Sequence, residues 1–136
     1  MSDTVSLVDY FYVEAADKPG EGARILEHLR SAGVNLLAFS GFPRGRRAQI
    51  DFVAEDAGRL RAAAKAAKWK LVGPKKAFLV QGDDRPGAVA DAFGKLAAAK
   101  INVTAADAVC AGAGRYGMIL WVGPGDVKRA AKALGV

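Results

Sequence analysis

Two short segments of the chain combine residue types that could bind a small charged molecule. Residues 17–20 read Asp-Lys-Pro-Gly, and residues 84–87 read Asp-Arg-Pro-Gly, 67 positions later (84 − 17 = 67). A helical pattern begins behind each copy, and the free N–H groups and positive dipole end of a helix N-terminus suit a carboxylate. The same residues also suit a plain helix cap, in which Pro sets φ and Asp accepts hydrogen bonds from backbone N–H groups. The motif alone therefore leaves both a ligand site and a structural turn open.

Other landmarks repeat at the same spacing. Asn35 and Asn102 each follow a helical segment and open a strand-like one, and they too are 67 residues apart (102 − 35 = 67). Apolar positions 60, 63, 64 and 67 of one later helix match positions 127, 130, 131 and 134 of another. Three landmarks at one offset indicate a tandem duplication. We expect two units, residues 1–73 and 74–136, held in fixed relation by the short Gly-Pro-Lys linker at 73–75.

Both halves show the same order of predicted elements. In the first half, apolar periodicity predicts helices at 21–32 and 57–67, and strands at 7–15, 34–42, 48–54 and 69–72. In the second half it predicts helices at 88–99 and 126–134, and strands at 77–81, 102–109 and 116–122. A split βαβ order gives a ferredoxin-like sandwich, with both helices on one face of an antiparallel sheet. The expected fold class is α+β, two tandem ferredoxin-like βαββαβ units, of which the second lacks its last strand.

The order of strand, Asp-Lys/Arg-Pro-Gly turn, amphipathic helix and Asn-led strand resembles the ACT domain. That family comprises small amino-acid-sensing modules, attached to biosynthetic enzymes or found as free-standing tandem pairs. The resemblance covers residues 7–136 and occurs in both halves. It implies a free-standing, non-enzymatic regulatory protein that binds a small molecule, an amino acid above all, and that could act on a partner enzyme.

The resemblance also implies where a ligand would bind, since family ligands lie between the Pro-Gly turn of one unit and the Asn-bearing strand of its neighbour. Carried onto this chain, one pocket comprises Asp17, Lys18, Gly20 and Asn102, and the other comprises Asp84, Arg85, Gly87 and Asn35. Glycine lets a ligand approach the backbone, and the Asn amide both donates and accepts hydrogen bonds. The family often has a leucine two residues after the glycine, where this chain has Gly22 and Val89. Each Asn could instead bond only to a local turn.

Two alternatives to ligand sensing arise from the same residues. Arg44, Arg46 and Arg47 form a basic cluster, and the Tyr-Phe-Tyr strand at 10–12 could stack bases, so an RNA-binding or other nucleic-acid-binding protein is one alternative. We rank it lower, because residues 49–53 lack the Gly/aromatic string of RNA-recognition sheets and include Asp51. The other alternative is a structural or oligomerisation module that binds no ligand.

Catalysis and metal binding find little support in the residue types. His28 is the single histidine, and we expect it on a helix surface or in helix packing rather than in a catalytic dyad. Cys110 is the single cysteine, and we expect it to be a small buried hydrophobic residue. The sequence therefore predicts no catalytic residues, no metal site and no cofactor.

Composition adds expectations about location and assembly. The net charge is +6, spread over helix faces and one hairpin, which favours a solvated surface over a nucleic-acid interface. Because no segment approaches the ~20 apolar residues of a membrane span and residues 1–16 lack signal-peptide order, we expect a cytoplasmic protein with no membrane association. Small units bury little surface, and the missing strand would leave residues 77–81 as a bare sheet edge. We therefore expect a homodimer or a larger homo-oligomer.

Overall fold

The computed structural model of the protein describes residues 3–136 and contains six strands, four α-helices and one short 3-10 turn. The strands are β1 (Thr4–Ala16), β2 (Leu36–Arg44), β3 (Arg47–Ala54), β4 (Val72–Asp83), β5 (Val103–Gly112) and β6 (Arg115–Val122). The helices are α1 (Glu21–Ser31), α2 (Ala57–Ala66), α3 (Ala88–Ala98) and α4 (Val127–Leu134), and the 3-10 turn spans Pro124–Asp126. The hydrogen-bonded strands follow the order β2-β3-β1-β4-β6-β5. The protein is thus α+β with a six-stranded antiparallel sheet and repeated βαββαβ units, which confirms the predicted fold class.

The chain divides into two compact units, each of which receives one segment of β1 and one of β4. The first unit comprises residues 9–75, and the second comprises residues 3–8 together with 76–136. The expected division was 1–73 and 74–136. The internal boundary therefore lies two residues later than expected, and the beginning of the chain groups with the second unit instead of the first.

The first unit has one apolar core between its helices and one face of its strands. Phe11 of β1 lies opposite Phe52 of β3 in the antiparallel register, and both side chains are buried. Leu29 of α1 and Leu60 of α2 pack in the same core. Because side chains alternate along a strand, Tyr10 and Tyr12 lie on the face of β1 opposite to Phe11. Helix packing thus accounts for one face of these strands only.

The second unit repeats this plan, with a strand contributed by the beginning of the chain. Phe78 of β4 lies opposite Leu120 of β6, and both are fully buried with Leu96 of α3. Val5 of β1 packs against the same core. No strand follows α4 in the described chain, and the place beside β4 is taken by the first residues of β1.

This arrangement corrects the expectation of a bare sheet edge at residues 77–81. The edge is covered by residues of the same chain, so a missing strand no longer argues for a second subunit. The signal was present in the sequence, because β1 begins at Thr4, three residues before the predicted start, and Val5 continues its apolar pattern. An oligomer stays a prediction that rests on other grounds.

The predicted linker at residues 73–75 is part of a strand, which is a second correction. Residues 69–72 and 77–81 were expected to be separate strands, but β4 runs without interruption from Val72 to Asp83. Gly73 permits this because its φ is +135°, and a Cβ there would lie 2.8 Å from both Tyr10 O and Phe11 Cδ2. Trp69 and Leu71 precede the strand and pack against the core of the first unit.

The other predicted elements are present with ends shifted by a few residues at most. β2 and β5 both run further into their hairpin turns than expected, to Arg44 and Gly112. None of the helices within residues 3–136 is long and apolar enough to cross a membrane.

Candidate functional site

The second Asp-Arg-Pro-Gly turn ends in a helix start that no side chain caps. Gly87 occupies the N-cap position of α3 with φ 81°, a left-handed conformation that favours glycine. No side-chain hydrogen bond reaches this helix end, whereas Asp56 caps α2 by accepting from Gly58 N at 3.0 Å and Arg59 N at 3.3 Å. The first amides of a helix have no intrahelical acceptor. Those of Val89 and Ala90 are therefore left to solvent or to a ligand.

A cavity of about 290 Å³ adjoins this helix start in the second unit. Its floor is the turn and the first helical turn, with Asp84, Arg85, Gly87, Ala88, Val89 and Ala90. Its other wall is Ala108, Val109 and Cys110 of β5 with Tyr116 of β6. The cavity thus brings together one carboxylate, one guanidinium, free amide donors and an apolar wall. Three of the eight predicted ligand-binding residues, Asp84, Arg85 and Gly87, line it.

Cys110 lies at this cavity and is exposed, so the expectation that it is buried was wrong. A hydrogen bond to the Asp84 carboxylate is the main cause that raises the pKa of the Cys110 thiol. The thiol is therefore protonated at neutral pH and can donate to Asp84. The turn is also fixed to the β5–β6 hairpin, since Asp84 N donates to Gly114 O at 2.8 Å. The glycine-rich hairpin turn gave no sequence signal for this role.

Arg85 is held by carboxylates of its own unit. Its Nη1 donates to Asp3 Oδ1 at 3.1 Å and to the backbone O of Asp83 at 2.9 Å, and its Nη2 pairs with Asp91. Tyr116 OH donates to the other oxygen of Asp3 at 2.7 Å. The guanidinium therefore anchors the start of β1 to the turn, a role that sequence reasoning missed together with Asp3, Asp91 and Tyr116.

The hydrogen bonds and charges of this network shift the pKa values of Asp3 and Tyr116. Burial opposes the ionisation of Asp3, but hydrogen bonds from Arg85 and Tyr116, with the charges of Arg85 and Lys95, outweigh it and lower the pKa of that carboxyl. Burial, together with the hydrogen bond to Asp3, raises the pKa of Tyr116 to about 12. Pairing with Arg85 and Tyr116 thus favours an ionised Asp3, and burial with the hydrogen bond to Asp3 favours a neutral Tyr116.

The first Asp-Lys-Pro-Gly turn has the same backbone plan in the other unit. Gly20 is the N-cap of α1 with φ 89°, and no side chain caps the helix. The expected capping by Asp17 was therefore wrong, because the helix begins only at Glu21 and glycine itself takes the cap position. Asp17, Lys18 and Gly20 are all exposed.

Asn35 and Asn102 lie at the far end of their own helices from these turns. α1 and α3 each have 11 residues and so span about 16 Å. The Asn35 side chain donates to Glu55 Oε2 at 3.3 Å, and Asn102 is exposed just before β5. Each predicted pocket combines a turn from one unit with the asparagine of the other, and this pairing stays a prediction.

The residues behind the alternative functions are engaged in local contacts. His28 Nε2 lies 2.7 Å from Ala63 O, and its ring meets Trp69 edge-on at 5.0 Å, so it packs α1 against its neighbours. Arg44 donates to Gln49 Oε1 at 2.7 Å, and Arg47 donates to Glu14 O at 3.3 Å. Of the basic cluster, these two arginines therefore serve the sheet itself.

Comparisons with known proteins report likeness of fold at low sequence identity. No protein-family model and no curated protein matches the chain. A solved structure of a protein from Bacteroides thetaiotaomicron matches with a TM-score of 0.82 and 14% identity, over 96% of this chain and 88% of that one. The ligand-free regulatory subunit of aspartate kinase from Thermus thermophilus matches with a TM-score of 0.67 and 16% identity, over 99% and 96%. The corresponding subunit from Thermus flavus matches with a TM-score of 0.65 and 16% identity, over 99% and 95%. The chain therefore shares its fold with regulatory subunits of aspartate kinase.

Proposed function

We propose that the protein is a non-enzymatic regulatory protein that binds a free amino acid at the second Asp-Arg-Pro-Gly turn. The observation that carries this proposal is the cavity of about 290 Å³ at the uncapped start of α3. The aspartate kinase regulatory subunits that share the fold support the regulatory role. The ACT-like motifs support an amino acid as the ligand.

The cavity offers a partner for each part of an α-amino acid. The amides of Val89 and Ala90 and the positive end of the α3 dipole suit the α-carboxylate. The Asp84 carboxylate suits the ammonium group. Ala108 and Val109 supply an apolar surface for a side chain. Arg85 positions the turn through Asp3 and Asp91, so its contribution to binding is indirect.

The first turn is the second candidate site and offers less. It has the same uncapped helix start, but Gly22 replaces Val89, so an apolar contact is lost. We therefore expect the pocket predicted at the first turn, with Asp17, Lys18, Gly20 and Asn102, to bind a ligand more weakly than the cavity at the second turn. Amino-acid binding at the second turn would change how the protein acts on a partner enzyme or on a second copy of this chain.

A thermal-shift screen against the twenty amino acids tests the proposal, with a matched pair of variants. Ala90→Asp places a carboxylate over the amides that the ligand would use, and Ala23→Asp does the same at the equivalent position of α1 (90 − 67 = 23). Both substitutions add an acidic residue to a first helical turn and stabilise the helix by about 0.3–1 kcal/mol. Their effects on the fold are therefore similar, and their effects on binding differ.

We expect one or a few amino acids to raise the melting temperature of the wild-type protein. Binding at a hundredfold excess over Kd adds about 2.7 kcal/mol. Ala90→Asp should abolish the shift and Ala23→Asp should retain most of it. If no amino acid shifts the melting temperature at millimolar concentration, the protein is instead a module without an amino-acid ligand.

A further inference from the structure

The first unit contains a cavity of its own, of about 340 Å³, whose lining is rich in positively charged side chains. It lies between the end of β1, the first turns of α1 and the connection from α2 to β4. Six charged side chains line it: Glu14, Glu21, Arg24, Arg47, Lys68 and Lys70. Four are cationic and two are acidic, which leaves an excess of two positive charges. None of the residues of the first predicted turn, 17–20, is among its lining residues.

The two acidic side chains are already paired with the two arginines. Glu21 Oε2 lies 3.0 Å from Arg24 Nη2, and Glu14 Oε1 lies 3.8 Å from Arg47 Nε. Within residues 3–136, no carboxylate lies within ion-pair distance of Lys68 or Lys70. The excess charge is therefore concentrated on these two lysines, where the chain enters β4.

The corresponding cavity of the second unit is electrically balanced. It has a volume of about 260 Å³ and is lined by Asp3, Arg85, Asp91 and Lys95 among its charged residues, two of each sign. The duplication aligns Arg24 with Asp91 (91 − 24 = 67), so a carboxylate in one unit is a guanidinium in the other. Asp3 and Lys70 occupy similar places at these cavities, because Asp3 directly precedes β1 and Lys70 lies two residues before β4, and these two strands begin with the segments that complete the two units. Two carboxylates of the second unit are thus replaced by two cations in the first.

In the second unit those two carboxylates bind the intervening Arg85 from both sides. The first unit has cations at both positions and lacks equivalent acids. We propose that the cavity of the first unit binds a small dianion, a dicarboxylate or a phosphate group, whose two negative charges pair with the excess positive charge of Lys68 and Lys70. Lys68 and Lys70 line it from the connection between α2 and β4, Arg24 lines it from α1, and the apolar Val13 and Ile25 complete its lining. This site is separate from the amino-acid cavity of the second unit, so either can exist without the other.

Two-dimensional NMR titrations at constant ionic strength test the site. Inorganic phosphate and succinate are the divalent probes, and acetate and chloride are the monovalent controls. We expect saturable shifts of the Arg24 and Lys70 amides with at least one divalent probe, and no saturation with the monovalent ones. A response to phosphate alone, or to succinate alone, would identify which of the two chemistries the cavity prefers.

A pair of charge-reversal variants separates a site from a general effect of net charge. Lys70→Asp replaces a cation of the cavity by a carboxylate. It should weaken dianion binding about tenfold or more, because attraction between the side chain and the anion becomes repulsion. Lys128→Asp changes the net charge equally on the exposed face of α4 and should leave binding unchanged. Equal weakening by both variants, or equal affinity for monovalent and divalent anions, would contradict the proposal. A wild-type-like spectrum of Lys70→Asp outside the cavity establishes that the variant is folded.

Discussion

The two units share a backbone plan and differ in how their charges are paired. In the second unit, Arg85 is held between Asp3 and Asp91, and Tyr116 completes the network through Asp3. In the first unit, Lys18 replaces Arg85 and Arg24 replaces Asp91, and no comparable network forms among the described residues. Both copies of a duplicated fold can therefore keep a hydrophobic core, while one copy pairs its charged side chains in a network and the other leaves some of them unpaired.

The faces of the strands opposite the helices also differ, because a carboxylate in the first unit corresponds to an apolar side chain in the second. Asp51 lies opposite Tyr12 in the first unit, and Ile119 lies opposite Leu79 at the equivalent register of the second. Asp51 and Ile119 are both buried, although one is a carboxylate and the other is apolar. Gln49 Nε2 donates to Asp51 Oδ1 at 2.9 Å and so supplies part of the polar environment that a buried carboxylate needs.

The largest expected effect comes from breaking one core at a time. Phe11 and Phe78 are equivalent and buried, and Phe→Ala at such a position costs about 3–5 kcal/mol. Because residues 4–8 belong to the second unit, we expect Phe78→Ala to accelerate hydrogen exchange at their amides more than Phe11→Ala does. Exchange followed by mass spectrometry or NMR measures this. Greater sensitivity of residues 4–8 to Phe11→Ala would show that they belong to the first unit.

A smaller effect is expected from the ion network at the start of the chain. Asp3→Asn removes a carboxylate that accepts from Arg85 and Tyr116, and should cost about 1–2 kcal/mol at pH 7 after allowance for partial exposure. The folded state lowers the pKa of Asp3, so this stabilisation is complete above the ordinary carboxyl pKa and is lost as the pH falls through the lowered value. Denaturant melts of wild type and variant between pH 2 and 7 measure the difference.

Asp17→Asn is the control for that experiment, since Asp17 is an exposed carboxylate at the first turn. It should change the free energy of unfolding by less than about 0.5 kcal/mol at pH 7. An Asp3→Asn variant as stable as wild type at pH 7 would mean that the network does not hold the start of β1.

The smallest effect has the opposite sign and concerns Asp51. Burial raises the pKa of its carboxyl, against the hydrogen bond from Gln49 and the charges of Lys75 and Arg44. The protonated carboxyl is the form that the folded state favours. The stability that it contributes is therefore lost as the pH rises from the ordinary pKa of an aspartate through the raised pKa of Asp51. Asp51→Asn cannot ionise, so we expect it to gain stability relative to wild type between pH 3 and 7, by less than about 1 kcal/mol. A relative loss over that range would show that the ionised carboxylate stabilises the fold.

Repeated local patterns made most of the fold predictable. The offset of 67 located both turns and both sets of helices, because helix periodicity and the glycine stops are local signals. The assignment of the first residues of β1 to the second unit was not predictable in this way. Residues 4–8 look like the start of one strand, and only packing of Val5 in the second core determines which unit they complete.

The candidate site was predictable in its turn and not in its walls. Asp84, Arg85 and Gly87 stand out as a motif, and the structure lines one cavity with all three. The opposite wall depends on the register of β5 with β6, which brings Cys110 opposite Tyr116. Strand register is set by pairing across the sheet and has no sequence motif of its own. For this reason the sequence wrongly predicted that Cys110 is buried.

The central claim is that the free amides at the start of α3 bind the carboxylate of an amino acid. Titration of isotope-labelled protein with each of the twenty amino acids, followed through the backbone amides of residues 87–90, tests it most directly. The account predicts saturable shifts at Val89 and Ala90 with at least one amino acid, and none with its decarboxylated amine. Unchanged amides at residues 87–90 while other residues respond would contradict it.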